Sequence, residues 1–154
     1  MAELFQGHML KNITGSLVEA EDLRNKVVAL YFSGAWYSGA REFTLVLRDF
    51  YAALTEEHPP EPIQVVFVSL DRSSEEMWEY VWELHGDWLV VPWDDPIRKQ
   101  LKERYNISAI PKLLIVKESG EVITDKGRTQ VQEHGLAAFK SWLEATEIFQ
   151  NFYI

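Results

Sequence analysis

The sequence predicts an α/β fold in which helices flank a mixed β-sheet. Two apolar runs, Lys26–Phe32 and Ile63–Leu70, have the length and the β-branched content of buried central strands. An amphipathic helix lies between them in the sequence, so the two strands are expected to be parallel. Further along the chain, the run Lys112–Lys117 is followed by a turn and a short strand, which must be antiparallel to it.

The N-terminal part of the chain carries weaker signals than the centre. Leu10–Val18 is predicted as a weak strand or turn region, and Glu19–Asn25 as a short helical turn. The first long helix follows the turn after Phe32 and extends to about Glu57, where His58–Pro62 ends it because proline cannot continue a helix. The core stripe of this helix repeats at spacings of three and four and consists of Phe43, Val46, Leu47, Phe50, Tyr51 and Leu54.

Two shorter helices are predicted after the second strand. The first opens at Ser73, which is spaced from Glu76 as in a capping box. Trp88–Trp93 is a short extended segment, and Asp95 and Pro96 then have the residue types of an N-cap and a first helical position. The predicted core faces of the two helices are Met77, Tyr80, Val81 and Leu84, and Ile97, Leu101 and Tyr105.

The last part of the chain completes the sheet and adds one helix. Glu118-Ser119-Gly120 is predicted to turn the third strand into Glu121–Thr124. A final helix is expected from about Glu133 to Glu147, and the aromatic tail Ile148–Ile154 is expected to dock because exposing it would be costly. Without internal repeats or linkers, residues 1–154 are predicted to form a single domain. The inward residues of the final helix are predicted to be Leu136, Phe139, Trp142 and Leu143.

Composition excludes several classes of function. The net charge of -9 argues against nonspecific binding of nucleic acid or anionic membranes, which requires a basic surface. The chain has no cysteine, so disulfides, thiolate metal ligands and thiol nucleophiles are excluded. No run approaches the roughly 18 apolar residues of a membrane-spanning helix, and no signal peptide is visible. We therefore expect no membrane insertion and a cytoplasmic or nuclear location.

Other catalytic and metal chemistry finds little support in the sequence. The four histidines, His8, His58, His85 and His134, lack metal-ligand spacing and are expected at the surface or at helix ends. Tyr37 or Ser38 would need a neighbouring base to act as a nucleophile, and the nearest candidate is Glu42. Ordinary turn roles explain these residues better, as capping and loop roles explain Asp71, Asp87, Asp94 and Asp95. We predict no catalytic residue, no metal and no cofactor.

Two segments carry a resemblance to a known family. The stretches VVALYFSGAWYSGAREFT, residues 27–44, and YNISAIPKLLIV, residues 105–116, resemble the nucleoredoxin and tryparedoxin branch of the thioredoxin superfamily. Within that branch the chain is similar to the nucleoredoxin-like proteins, the relatives of rod-derived cone viability factor. The resemblance covers nearly the whole chain. It implies a thioredoxin-like three-layer fold with a central mixed β-sheet flanked by helices.

The residues that would perform the family's chemistry are replaced. By the resemblance, Trp36 matches the tryptophan before the redox pair, Tyr37 stands at the nucleophilic cysteine and Ala40 at the resolving cysteine. Ile110-Pro111 matches the cis-proline loop that faces the redox turn. Disulfide exchange needs a thiolate, and a tyrosine phenol has a high pKa and no sulfur to exchange. Tyr37 and Ala40 are therefore degenerate redox positions, and we predict that this chain is not an enzyme.

The surface that presented the redox pair can survive its loss. In proteins of this fold, the backbone beside the cis-proline pairs with an extended polypeptide, so a protein partner is expected. The alternative is that the cis-proline is kept only because the fold needs it. A second candidate surface consists of Trp78, Trp82, Trp88 and Trp93, which either pack under loops or form an exposed patch. The predicted partner-binding residues are Trp36, Tyr37, Ser38, Gly39, Ile110 and Pro111.

Three hypotheses about function follow. The first is a binding protein without thiol chemistry, with a role in the maintenance of sensory neurons such as photoreceptors that the resemblance alone implies. The second is an inactivated or cysteine-stripped form of a thiol–disulfide oxidoreductase. The third is a scaffold without a native partner. The sequence leaves open whether the absence of cysteine is natural, and it leaves the oligomeric state open.

Overall fold

A computed structural model describes residues 4–23, 26–57 and 63–146 of the chain. The predicted helix end at His58–Pro62 and the predicted docking of Ile148–Ile154 lie outside these residues. The described part contains one seven-stranded sheet, in the order β2-β1-β5-β4-β3-β6-β7. Its strands are β1 (Met9–Lys11), β2 (Leu17–Glu19), β3 (Val27–Ser33), β4 (Ile63–Ser69), β5 (Leu89–Val90), β6 (Lys112–Val116) and β7 (Val122–Thr124).

The centre of the sheet follows the predicted apolar runs. β3 and β4 are buried at every position and pair in parallel, from Val27 opposite Ile63 to Ser33 opposite Ser69. β6 pairs antiparallel with the other side of β3, and β7 continues the hairpin. The predicted mixed sheet is confirmed. Because β3 and β4 are parallel and in register, the two chain segments that follow Ser33 and Ser69 leave the sheet side by side.

Helices cover the two faces of the sheet and give three layers. α1, α2, α4 and α5 pack on one face, where their apolar residues join one core cluster. α3 packs on the other face together with the N-terminal segment, in which Phe5 and Leu10 are fully buried. The helices are α1 (Ser38–Glu57), α2 (Ser74–Leu84), α3 (Ile97–Arg104), α4 (Gly127–His134) and α5 (Ala137–Thr146), and a 3-10 turn spans Ala20–Leu23.

The prediction of one final helix from Glu133 is wrong. The structure has two helices there, α4 and α5, and Gly135 between them adopts φ of +55°. Glycine takes this left-handed backbone without the penalty that a side chain imposes, and it commonly ends a helix. The break leaves Leu136 exposed, whereas Phe139 is buried as predicted.

Two further details of the helices differ from the prediction. In α1, Val46 is 41% exposed, so the buried stripe is narrower than the spacing suggested. At the start of α2, Ser73 accepts from the Glu76 amide at 3.1 Å, as a capping box requires. The Glu76 carboxylate, however, accepts from the amide of Arg72 and not from that of Ser73. α3 begins at Ile97, whose amide donates to the Asp95 carboxylate at 2.9 Å.

Candidate functional site

The candidate site is the turn between β3 and α1, where two aromatic rings stand at the surface. Trp36 is 55% exposed and Tyr37 47% exposed, and their ring centroids lie 6.3 Å apart. Both rings lie against glycine backbone. A Cβ on Gly34 would lie 2.6 Å from Trp36 Nε1, and one on Gly39 would lie 2.8 Å from a ring carbon of Tyr37. The two glycines therefore set the positions of the two rings.

The segment after β4 holds this turn in place. Trp36 Nε1 donates to the carbonyl oxygen of Leu70 at 3.1 Å. The amide of Ala35 donates to a carboxylate oxygen of Asp71 at 2.8 Å, and Ser69 Oγ donates to the other oxygen at 2.7 Å. Asp71 is buried, and burial raises the pKa of its carboxyl group although both hydrogen bonds oppose the change. The loop role predicted for Asp71 is thus specifically the anchoring of the turn.

Ala40 lies beneath the turn, fully buried in the first turn of α1. Three hydroxyl oxygens surround its carbonyl oxygen: Thr44 Oγ1 at 2.7 Å, Tyr80 at 3.3 Å and Tyr31 at 3.4 Å. Burial raises the pKa of both tyrosines, so both remain neutral at physiological pH. The interior beside Ala40 is therefore a neutral hydroxyl cluster.

Glu42, the candidate base for a hydroxyl nucleophile at Tyr37 or Ser38, does not contact either hydroxyl. Ser38 and Glu42 are both exposed on the first turns of α1. Within the described parts of the chain, the Glu42 carboxylate makes no hydrogen bond to the hydroxyl of Ser38 or of Tyr37. The arrangement therefore offers no activation for a tyrosine or serine nucleophile, which needs a base within hydrogen-bonding reach.

A loop from the other side of the sheet completes the surface. The peptide bond between Ile110 and Pro111 is cis. Between this loop and the turn lies an open cavity of about 270 Å³, which we call the partner groove. Its lining residues are Trp36, Tyr37, Leu70, Ser108, Ala109 and Ile110.

The partner groove contains some of the predicted residues and lacks others. Of the residues predicted to bind a partner, Trp36, Tyr37 and Ile110 line it. Ser38 and Gly39 belong to the start of α1 outside the lining, and Pro111 is buried beneath it. Leu70, Ser108 and Ala109 also line the partner groove and were not predicted from the sequence. The position of Leu70 was accessible in principle, because neighbouring parallel strands deliver their following residues to the same edge of the sheet.

His85 lies at a helix end, in line with the prediction for the histidines, but its burial was not predicted. His85 does cap the end of α2, but its ring is buried between Phe67 and Tyr80, with ring centroids at 4.3 and 4.5 Å. Its Nδ1 accepts a hydrogen bond from Trp88 Nε1 at 3.1 Å, and burial lowers its pKa to about 3. In the described ranges, no group of three histidine or acidic residues is placed to hold a metal ion.

The four tryptophans of the second candidate surface separate into two kinds. Trp88 is buried, and Trp78 and Trp93 are partly buried against the core. Trp82 is 68% exposed, stacks near Trp78 with centroids 5.7 Å apart, and donates to the carbonyl oxygen of Ile13. Packing thus explains three of the four, and the exposed patch is reduced to Trp82.

Known proteins are similar to this chain in sequence. Residues 25–122 match the sequence model of a family described as thioredoxin-like, and nucleoredoxin-like protein 1 of Xenopus laevis is 33% identical over 138 residues. The chain belongs to the thioredoxin-like family. The Xenopus alignment covers 87% of this thioredoxin-like chain but only 64% of the relative's own length.

Solved structures agree with this assignment. Thioredoxin from Wuchereria bancrofti is 40% identical, with a TM-score of 0.78, and the match covers 93% of this thioredoxin-like chain and 99% of the other. Tryparedoxin II from C. fasciculata is 29% identical with a TM-score of 0.77, covering 87% and 91% respectively. The predicted thioredoxin-like fold is confirmed. Of the helices that the structure describes, none combines the length and apolar character needed to cross a bilayer.

Proposed function

We propose that this thioredoxin-like chain binds an extended segment of a partner protein in the partner groove and performs no thiol–disulfide exchange. The observation that carries the proposal is the exposed pair Trp36 and Tyr37 facing the loop at Ser108–Ile110 across an open cavity. The backbone groups of residues 108–110 make no hydrogen bonds to the described residues. An extended peptide could pair with them as an added strand while its side chains contact the two rings.

The chemistry at the degenerate redox positions supports binding over catalysis. Position 37 carries a phenol, and position 40 carries a buried methyl group above neutral hydroxyls. Because the chain has no cysteine, it cannot form a mixed disulfide with a partner. Aromatic residues such as Trp36 and Tyr37, by contrast, are enriched where proteins bind one another.

The test compares the proteins captured by the parent and by two variants from a tissue extract, with quantitative mass spectrometry. Trp36→Ala removes an exposed ring from the partner groove, and Trp82→Ala removes an exposed ring elsewhere as the matched control. We expect Trp36→Ala to lower the recovery of specific partners by about tenfold or more, and Trp82→Ala to leave it unchanged. Identical partner sets for the parent and Trp36→Ala would remove the partner groove from consideration.

The biological setting is proposed from the nucleoredoxin-like relatives alone. It comprises a cytoplasmic or nuclear location and a role in maintaining sensory neurons such as photoreceptors. Imaging the tagged chain in cultured photoreceptor cells, together with cell survival after its depletion and re-expression, tests both statements. Unchanged survival after depletion would contradict the role.

A second proposal is that the chain is an inactivated form of a thiol–disulfide oxidoreductase. It is favoured by the retained geometry of the redox turn, in which the Ala40 amide donates to the carbonyl oxygen of Tyr37 at 3.1 Å at the start of α1. Two cysteines at these positions would thus be one helical turn apart. Restoring both cysteines tests this proposal, as argued below.

A further inference from the structure

A second cavity adjoins the partner groove at Trp36. It has a volume of about 790 Å³ and lies between the end of β4, the helix α3 and the connection after it. It shares Trp36, Leu70 and Ser108 with the partner groove, so the two form one continuous surface. We call this second part the α3 cavity. A segment bound in the partner groove has room to continue along it.

The α3 cavity is basic in an acidic protein. Its charged lining residues are Arg98, Lys99, Lys102 and Glu103, three cations against one carboxylate, whereas the whole chain has a net charge of -9. Lys99 and Lys102 are exposed, and neither forms an ion pair within the described ranges. Positive charge is therefore available to an anionic group entering this cavity.

Arg98 is held in place without being neutralised by a hydrogen-bonded carboxylate. Its Nη1 donates to the carbonyl oxygen of Ser69 at 2.9 Å, and its Nε donates to that of Trp93 at 2.8 Å. The guanidinium also lies over the Trp93 ring, 4.7 Å from the centroid. These contacts fix one cation at the end of β4, close to the point where the cavity meets Trp36.

The other flank of Trp36 has the opposite charge. A third cavity of about 210 Å³ lies against α2, and the carboxylates of Glu76, Glu79 and Glu83 line it. Two arginines, Arg41 and Arg72, also line it, and Arg41 is paired with Glu83 at 2.7 Å. Carboxylates therefore outnumber cations by one on this flank of Trp36, whereas cations outnumber carboxylates in the α3 cavity.

We infer that the partner segment is an extended acidic peptide that crosses Trp36 and places its carboxylates in the α3 cavity, beside Lys99 and Lys102. This inference rests on the proposed function, which places such a segment in the partner groove. Charge complementarity favours an acidic peptide there and opposes one on the α2 flank. A long polyanion is less suited, because the remaining surface of a chain with net charge -9 repels it.

The experiment selects peptides from a randomised octapeptide phage library on immobilised protein. The baits are the parent, Lys102→Glu, Trp36→Ala and Lys140→Glu. Lys140 is exposed on α5, which packs on the opposite face of the sheet, so its variant carries the same charge change away from the α3 cavity. Selected peptides are then synthesised with Asp and Glu kept or replaced by Asn and Gln, and their affinities are measured by fluorescence anisotropy at two salt concentrations.

The expected result is enrichment of acidic residues on one side of an apolar residue for the parent and for Lys140→Glu. Lys102→Glu should lose this enrichment and bind the acidic peptides about three- to tenfold more weakly, with the difference reduced at high salt. The parent could instead select peptides without acidic enrichment that Trp36→Ala does not bind. This result would overturn the inference and leave the proposed function standing.

Three further outcomes would overturn the inference. Failure to select any peptide with the parent would overturn both the inference and the proposed function. Acidic peptides that bind Trp36→Ala as well as the parent would overturn the shared surface on which the inference depends. Tighter binding of single-stranded DNA or phosphatidylserine vesicles than of the selected peptides, weakened by Lys102→Glu, would assign the α3 cavity to a polyanion.

Discussion

The indole of Trp36 donates a hydrogen bond to the carbonyl oxygen of Leu70, 34 residues further along the chain. The bond joins the segments that follow the two central parallel strands, and Leu70 is itself tied back by its amide to the carbonyl oxygen of Ser33. An exposed ring is thereby held in one orientation. A preoriented aromatic side chain loses little conformational freedom on binding, which suits it to contact a partner.

The first prediction concerns Gly34, on which the Trp36 indole lies. In Gly34→Ala the new Cβ would lie 2.6 Å from Trp36 Nε1, so the ring must move and its bond to Leu70 is lost. We expect a shifted indole N–H signal in NMR spectra and a loss of about 1 kcal/mol in the free energy of unfolding, the size of one lost hydrogen bond, because the exposed ring can move outwards. Ser38→Ala, an exposed change in the same turn, is the control. An unshifted indole signal in Gly34→Ala would contradict the arrangement.

The second prediction concerns His85 and the pH dependence of stability. Burial lowers its pKa from 6.5 to about 3 in the folded chain, so below pH 6.5 the unfolded chain binds a proton that the folded chain does not. The contribution of His85 to stability is complete above pH 6.5, the pKa of the ring in the unfolded chain. It is lost as the pH falls from 6.5 towards 3. At 1.36 kcal/mol per pKa unit, its full size is on the order of 5 kcal/mol.

Urea unfolding at pH 8, 6 and 4.5 measures this dependence. His85→Gln keeps an acceptor for Trp88 Nε1 but does not titrate, so its unfolding free energy should fall less with acidity than that of the parent. His134→Gln replaces an exposed histidine at the end of α4 and should keep the parent's slope. Equal slopes for the parent and His85→Gln would show that the ring is protonated in the folded chain.

The third prediction concerns Asp71, whose contribution to stability should change with pH in the opposite direction to that of His85. Burial raises the pKa of its carboxyl group above 3.8, so in the window above 3.8 the folded chain keeps a proton that the unfolded chain has lost. Its contribution to stability therefore decreases as the pH rises through that window. Asp71→Asn retains an acceptor for the Ala35 amide and removes the titration.

The same urea series tests Asp71. The difference in unfolding free energy between Asp71→Asn and the parent should shift in favour of the variant as the pH rises above 3.8. Asp94→Asn, an exposed change in the loop before α3, should show no such shift. A shift in favour of the parent instead would mean that the hydrogen bonds from Ala35 and Ser69 outweigh burial.

Features of this molecule that depend on neighbouring residues in the chain could be predicted from the sequence. Features that depend on contacts between distant residues could not. The central strands were predictable because every residue of β3 and β4 is buried, and such runs are largely apolar. The division of the last helix was missed because Gly135 is compatible with a helical pattern until its backbone angle is known. Composition did not reveal the α3 cavity, because the net charge of -9 conceals a local excess of cations.

The burial of His85 was equally inaccessible to sequence reasoning. Its place at the end of α2 was predictable from local spacing, whereas its surroundings come from β4 and from Trp88. The same holds for the partner groove. Trp36 and Ile110 were identified through the resemblance, but Leu70 and Ser108 belong to it only through tertiary contacts.

The last prediction concerns restoration of the redox pair by Tyr37→Cys with Ala40→Cys. Position 37 is exposed at the start of a 20-residue helix, where the helix dipole lowers the pKa of a thiol and favours the thiolate. We expect the double variant to reduce insulin disulfides in the presence of dithiothreitol, and each single variant to show little turnover, because exchange needs both an attacking and a resolving thiol. Activity of the double variant would show that Tyr37 and Ala40 alone account for the loss of thiol–disulfide exchange and that the rest of the scaffold is competent. An inert double variant that folds like the parent would instead show that the surroundings, such as the neutral hydroxyl cluster beside Ala40, no longer support exchange, and the oxidoreductase proposal would fail.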